Sequence, residues 1–258
     1  MSSAACSVST ALPRYRVFDV PFNPITRGAA REQCLSVVRS ERFHLMVTLG
    51  TEMVMSAQEN EDFRSIVESA DLVVPDGIGV VMASRLAGLE APERVTGVEL
   101  LHDLVEACGD DVRFFFYGSA PGVAEQAVSN LQDKVKPFQC AGILDGYVQD
   151  HEEVLQAIEE ARPHVLFVAL GSPRQEAFLS QHRERLEQAG VRLGVGVGGS
   201  FDVYAGTVER APVWVQRVHM EWLYRLLKQP SRWRRMLALP RFAVRVLMAP
   251  KKAVRSVS

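Results

Sequence analysis

Four short stretches of the chain carry polar residues and glycines directly after an apolar run. The first, Leu72-Val73-Val74-Pro75-Asp76-Gly77-Ile78-Gly79, ends in an acid followed by spaced glycines. An Asp at the carboxyl end of a strand in an open α/β sheet stands where ligands bind, so Asp76 can act as a general base. An Asp there can equally cap the next helix, and spacing alone leaves both roles open. The second stretch, Leu170-Gly171-Ser172-Pro173-Arg174-Gln175-Glu176, reads as a strand end, a glycine that lets backbone approach a ligand, a Ser cap and a Pro at the first helical position. Such a helix start favours a phosphate, with Arg174 or Gln175 in reach, or it is an ordinary capped helix. The third is the glycine run of residues 194–202, closing on Ser200-Phe201-Asp202. It lacks the following helix and distant acid of a dinucleotide fingerprint, and lacks the closing glycine of a nucleophile elbow. Its glycines would let backbone meet a ligand, with Asp202 free for a sugar or ribose hydroxyl. The fourth, Thr48-Leu49-Gly50-Thr51-Glu52, is another strand-to-helix junction in which Thr51 could be only a cap.

The elements that must position these residues alternate along the chain. Apolar runs predict strands at Arg16–Val20, His44–Leu49, Leu72–Pro75, Arg113–Tyr117, Phe138–Ile143, Val165–Leu170 and Arg192–Val197. Helical patterns fall near 28–40, 52–69, 78–88, 97–108, 121–134, 151–161 and 174–189. Runs such as Leu166-Phe167-Val168-Ala169-Leu170 are apolar throughout, which suits strands covered on both faces. The expectation is a Rossmann-like, doubly wound α/β fold with a mostly parallel sheet.

A boundary falls near Gly206–Pro212. From Arg210 to Ser258 there are 12 Lys and Arg against one acid, Glu221, a local charge of +11; residues 1–209 carry −13. The net charge of −2 hides this division. We therefore divide the chain into an α/β core, residues 1–207, and a basic, aromatic helical appendage, residues 208–258. Trp214–Leu227 and Ser231–Met248 read as its helices. So basic a tail points to an anionic partner: a membrane surface, a phosphorylated substrate or nucleic acid. The four cysteines form no CxxC pair, and the six histidines show no metal-binding spacing. There is no Asp-x-Asp, HExxH or GxxxxGK[ST]. Neither a metal nor another cofactor is expected. Residues 1–12 lack the features of a signal peptide, and no run reaches the ~18 apolar residues of a spanning helix. The expected location is cytoplasmic.

Together these blocks resemble the WecG/TagA/CpsF glycosyltransferases, glycosyltransferase family 26. The resemblance runs through Ser69–Val80, Glu93-Arg94-Val95-Thr96-Gly97, Gly171–Glu176, Gly196–Asp202, Arg210-Ala211-Pro212 and Glu221-Trp222-Leu223-Tyr224-Arg225, and spans roughly residues 20–245. It implies a metal-independent, inverting enzyme at the inner face of the membrane. Such an enzyme moves an N-acetylmannosamine-type sugar from a UDP-sugar donor to a lipid-diphosphate-linked N-acetylglucosamine acceptor, for cell-surface polysaccharide. Carried over, Asp76 resembles the general base. Thr48 and Gln175 resemble substrate-pocket residues, Arg94 resembles a pocket arginine, and Tyr147 and Asp202 resemble nucleoside contacts, with Gly171 the substrate-binding glycine whose backbone can approach the ligand. Arg225 and Arg232 resemble the appendage arginines that meet the diphosphate. The family pattern Thr-x-Asn-x-Glu reads Thr48-Leu49-Gly50-Thr51-Glu52 here, so Gly50 removes a side-chain amide from the pocket.

On this reading the acceptor hydroxyl attacks the anomeric carbon, Asp76 takes its proton, and arginines offset the charge growing on the departing diphosphate. The tail would also dock on an anionic membrane surface, its arginines attracted to the headgroups and Trp214, Trp222, Trp233 and Phe242 serving as anchors. The rival readings are a nucleic-acid-binding module using the basic tail, and a nucleotide-dependent oxidoreductase. The resemblance implies no nucleic acid, and the sequence leaves homo-oligomerisation open.

Overall fold

Alternation within each strand divides the apolar residues between two cores. In the computed structural model, which describes residues 12–148, 150–209, 211–212, 215, 222–224 and 237–257, the central sheet has six strands. These are β3 (His44–Leu49), β4 (Leu72–Pro75), β5 (Arg113–Gly118), β6 (Gln139–Leu144), β7 (Val165–Ala169) and β8 (Leu193–Gly196). Their order is β4-β3-β8-β7-β5-β6, and every neighbouring pair is parallel. Phe115, Tyr117, Leu166 and Val168 enter one core, while Phe114, Phe116, Val165 and Phe167 enter the other. Both faces are covered, which is why these strands read as continuous apolar runs.

The helices follow the same division. On one face lie α2 (Thr51–Glu59), α3 (Glu61–Ser69), α7 (His151–Ala161), α8 (Arg174–Gln181) and α9 (Arg183–Gln188). On the other lie α1 (Arg27–Val38), α5 (Gly97–Ala107), α6 (Val123–Lys134) and α10 (Ser200–Ala205). The doubly wound α/β expectation is met. Between β4 and α5 runs α4 (Ile78–Leu86). The pattern over 52–69 is two helices, because Asn60 leaves helical geometry (φ −126°, ψ 106°) and its side chain caps the second helix at Phe63 N–H (2.9 Å). Likewise 174–189 breaks at His182. Cys34 and Cys108 both lie in the second core, where burial pushes their thiols up to about 12 and about 11. They are packing residues rather than nucleophiles.

Two expectations need correction. Arg16–Val20 is not one strand. Phe18 and Asp19 both have positive φ (46° and 68°), so the chain turns there into a hairpin of β1 (Arg14–Val17) and β2 (Val20–Phe22). Nor is the basic segment helical throughout. After α11 (Ala238–Met248) and the short α12 (Pro250–Ala253), it ends in β9 (Val254–Val257), which pairs antiparallel with β1. This three-stranded sheet, β2-β1-β9, stands apart from the central one. Asn23, which is buried, ties it to the sheet edge. Its N–H donates to the Val73 carbonyl (2.7 Å), and its Oδ1 accepts from Val73 N–H (2.9 Å).

Candidate active site

The carboxyl ends of five central strands open into one cleft of about 970 Å³. Backbone hydrogen bonds, helped by the Thr48 side chain, hold its edge together. The N–H groups of Asp76 and Gly77 both donate to the Leu49 carbonyl (3.1 and 3.2 Å), pinning the end of β4 to the end of β3. The next loop is stitched on by Val95 N–H donating to the Pro75 carbonyl (2.9 Å). Between β3 and β8 the ladder stops at Met46 and Val195. Beyond it the Thr48 hydroxyl donates to the Gly196 carbonyl (3.1 Å), bridging the strands where they part.

Glycines then let α8 lie close against β8. A Cβ on Gly194 would stand 2.7 Å from Leu179 and 2.8 Å from Phe43, and one on Gly196 would stand 2.9 Å from Glu176 Oε1. In that tight space Gln175 works in two directions. Its Oε1 accepts from Gly198 N–H (3.1 Å), and its Nε2 donates to Glu176 Oε1 (2.7 Å). Glu176 is fully buried, and its Oε2 has no hydrogen-bond partner among the described residues. Burial pushes its carboxyl above the usual range. Hydrogen bonds from Gln175 and Ser172 pull the other way, and the Glu52 charge adds to the rise.

Most of the residues expected from sequence meet here. Asp76, Thr48, Gly50, Gly171, Gln175 and Asp202 all line the cleft. Asp76 is half-buried, and the helix cap after it is Gly77, with no side-chain cap bond, so Asp76 is not the N-cap of α4. Thr51 is likewise not a cap: it is the first residue of α2, after Gly50. Gly171 has φ +75°, a turn glycine. The helical cap after it is Pro173, joined to Ser172 by a cis bond, in place of Ser172. Asp202 lies on α10 facing Ser119 at the end of β5 (3.5 Å). That short helix corrects the expectation that none follows the glycine run; among the described residues no strand of the central sheet follows it.

Two residues stand outside the cleft lining. Arg94 is half-buried in the loop beside Thr96 and Gly97, which do line it. Tyr147 is 70% exposed, on a turn held to the cleft by Gly146 N–H donating to the Ser119 carbonyl (2.8 Å). Arg225 and Arg232, with Trp214 and Trp233, lie outside the described residues. Sequence reasoning missed three contributors: Ser119, Glu52 as a lining residue, and Arg241. Ser119 follows the apolar β5 run just as Asp76 follows β4, so the strand-end rule could have found it. Arg241 reaches the cleft from α11, and Leu237 from the cap just before it. α11 packs on α2 and α4 with Phe242 and Val246 inward, one helical turn apart. Phe242 makes an edge-on contact with Phe18 (centroids 5.3 Å), and Arg245 lies over the Phe18 ring (4.5 Å).

His102, Asp103 and Glu106 place their ligand atoms within 4.8 Å of one another, but they sit on α5 outside the cleft lining. Asp103 is already held by a two-pronged pair with Arg27 (2.7 and 2.5 Å).

Chemically, the cleft offers acids at both ends, Asp76 with Glu52 at one and Asp202 at the other, with hydroxyl and amide groups between them and Arg174 and Arg241 in its lining. The profile of the glycosyl transferase WecG/TagA/CpsF family matches residues 15–256. The chain is also similar to a Bacillus spizizenii protein named N-acetylglucosaminyldiphosphoundecaprenol N-acetyl-beta-D-mannosaminyltransferase. The two are 41% identical over 203 residues, 78% of each chain. A Bacillus subtilis protein of the same name is 38% identical over 205 residues, 79% of each chain.

Proposed function

The chain belongs to the glycosyl transferase WecG/TagA/CpsF family, and from that premise we propose that it moves an N-acetylmannosamine-type sugar from a UDP-sugar to an acceptor N-acetylglucosamine linked through diphosphate to undecaprenol. The observation that carries this reading is the convergence of Asp76, Thr48, Gln175 and Asp202 on one cleft that also receives Arg241 from the C-terminal segment. The nucleoside lies toward Asp202 and Ser119, and the transferred sugar lies toward Asp76. The acceptor hydroxyl attacks the anomeric carbon from the side opposite the diphosphate, with inversion. Asp76 accepts the hydroxyl proton as the new bond forms. Charge accumulating on the departing UDP is met by Arg174 and Arg241, joined by Arg225 and Arg232. Planar guanidinium groups suit a diphosphate, and on this reading no metal is needed.

Residues 208–258 act in this scheme as an appendage with two tasks: completing the cleft and seating the enzyme on the inner face of the membrane. Two features support the second. No helix among the described residues is long and apolar enough to cross a membrane. Yet α11 turns Val244, Leu247 and Met248 outward, exposed by 55, 69 and 81%, close in sequence to Arg241, Arg245, Lys251 and Lys252. Apolar side chains beside cations suit an anionic lipid surface.

A UDP-release assay over a panel of UDP-sugars, with a lipid-diphosphate N-acetylglucosamine acceptor, tests the reading. Acceptor-dependent release, together with thermal stabilisation by UDP but not by NAD or oligonucleotides, is expected. Stabilisation by oligonucleotides alone overturns it.

A further inference from the structure

The transfer step described above leaves the cleft-lining Glu52 without a task. Glu52 is the second residue of α2, and its carboxylate is folded back across Gly50. A Cβ on Gly50 would lie 2.8 Å from Glu52 Oε2, and 2.9 Å from both Cδ and Oε1. The backbone itself does not call for glycine there. At φ −78° and ψ 158°, position 50 is in the extended region open to any residue. What a side chain at 50 would meet first is the Glu52 carboxylate, the movable end of a flexible side chain, so a residue larger than glycine would displace that carboxylate rather than be shut out by it. That carboxylate rests over the first turn of α2, whose free N–H groups and dipole favour an anion.

Its place in the cleft is also defined. Leu49, just before Gly50, accepts the Asp76 N–H (3.1 Å), so Glu52 belongs to the Asp76 end. Strands β8 and β7 separate it from the Ser119 and Asp202 end on β5. Behind it lies the buried Glu176, close enough to feel the Glu52 charge. This end of the cleft is thus rich in acceptors and unfavourable to a further negative charge.

Building on the transferase reading, we propose that Glu52 is a specificity-determining residue of the donor-sugar pocket. Its carboxylate accepts a hydrogen bond from a hydroxyl or acetamido N–H of a neutral transferred sugar, and disfavours a sugar that carries a carboxylate. Gly50 is the partner that lets it lie there. An ionised carboxyl can only accept, so it selects for donor groups on the sugar. An anionic sugar would meet like charge at close range, although Glu52 is exposed and solvent moderates that repulsion.

The test is kcat/KM across neutral UDP-hexoses, UDP-N-acetylhexosamines and UDP-hexuronic acids, for the native chain, Glu52→Gln, Gly50→Ala and the double variant. Glu52→Gln is expected to lower kcat/KM for the best neutral donor about ten- to a hundredfold, the scale of losing one hydrogen bond to a charged group. It should at the same time raise the uronic donors relative to that neutral donor. Gly50→Ala should shift the profile the same way and add little to Glu52→Gln, because both act through one carboxylate. Glu52→Asp should recover part of the native preference. A uniform loss over all donors, an unchanged profile, or additive single effects overturns the assignment. UDP-induced thermal stabilisation of each variant separates altered recognition from altered folding. A native chain inactive with every donor overturns the transferase reading itself; a native chain active but indifferent to Glu52→Gln overturns only the role of Glu52.

Discussion

The floor of the cleft and its outer wall are built by different means. The floor is strand ends and the start of α8: Asp76, Thr48, Gly198 and Gln175 are held by backbone ladders and by hydrogen bonds of 3.1 Å between neighbouring elements. The outer wall is α11, held by two inward side chains, Phe242 and Val246, and at its far end by four residues of β9 paired with β1. A ladder places atoms to within the tolerance of hydrogen-bond geometry, whereas a helix seated on a few apolar contacts can shift as a unit. Chemistry that needs one fixed proton acceptor therefore belongs on the floor. Charge compensation, which in the proposed scheme falls to several arginines, tolerates the wall.

The sharpest way to break this comparison is Asp76→Asn. If the base sits on the floor and acts alone, transfer should fall by about 10²- to 10⁴-fold while UDP still stabilises the fold, since the amide is nearly isosteric but cannot accept the proton. Single-turnover transfer beside a UDP thermal shift measures both. Near-native turnover would remove Asp76 from the mechanism.

Next in size is the wall. Arg241→Ala should slow transfer by about ten- to a hundredfold, less than removal of a preorganised, buried donor, because Arg241 is exposed and shares its task. Arg225→Ala and Arg232→Ala should each give losses of similar size. A loss with Arg241→Ala as deep as that of Asp76→Asn would erase the distinction between floor and wall. Smaller again is the effect of Leu247→Glu with Met248→Glu. Two acids beside an anionic surface cost about 1 kcal/mol each, so binding to anionic vesicles should drop by roughly tenfold or more. Transfer to a soluble acceptor analogue should not change. Equal vesicle binding by both proteins would show that α11 does not face the lipid.

The same contrast explains what could be read from the sequence. The floor was legible because each strand announces itself by an unbroken apolar run and ends in a polar residue or glycine; His44–Leu49 and Leu72–Pro75 fall where expected. Glu176 was not legible as a buried acid. It looks like an ordinary polar residue at a helix start, and only the missing side chain at Gly196 reveals how close α8 lies. The turn at Phe18-Asp19 escaped because Phe gives no sign of positive φ, and a single Asp, though it tolerates that region, is too common to mark a turn inside an apolar run. β9 escaped because its partner strand lies at the opposite end of the chain, and no local pattern encodes such a pairing. Arg241 was hidden for a related reason: many arginines occupy the basic segment, and only the seating of Phe242 shows that this one, among the described residues, enters the cleft.

Glu176 also offers the gentlest test of how the floor is held. Its carboxyl is pushed above the usual Glu range, chiefly by burial, so the folded chain holds this proton more tightly than the unfolded chain does. The contribution to stability is then complete below the ordinary Glu pKa of about 4.3, and is lost as pH rises through the raised value. Glu176→Gln cannot titrate, yet it keeps a carbonyl oxygen to accept from Gln175 Nε2. The difference in unfolding free energy between native and variant should therefore drift with pH. It should be near constant below about 4.3, then move in favour of the variant by up to ~1.4 kcal/mol per pH unit until the raised pKa is passed. Denaturant melts of both proteins from pH 4 to pH 8 measure this drift, and taking the difference removes every other titrating group. Arg241→Ala, on the wall, should show no such drift against native. Parallel curves for Glu176→Gln would mean that the acid is ionised in its buried site, held there by Gln175 and Ser172. The floor would then rest on a compensated charge rather than on a neutral hydrogen-bonded acid.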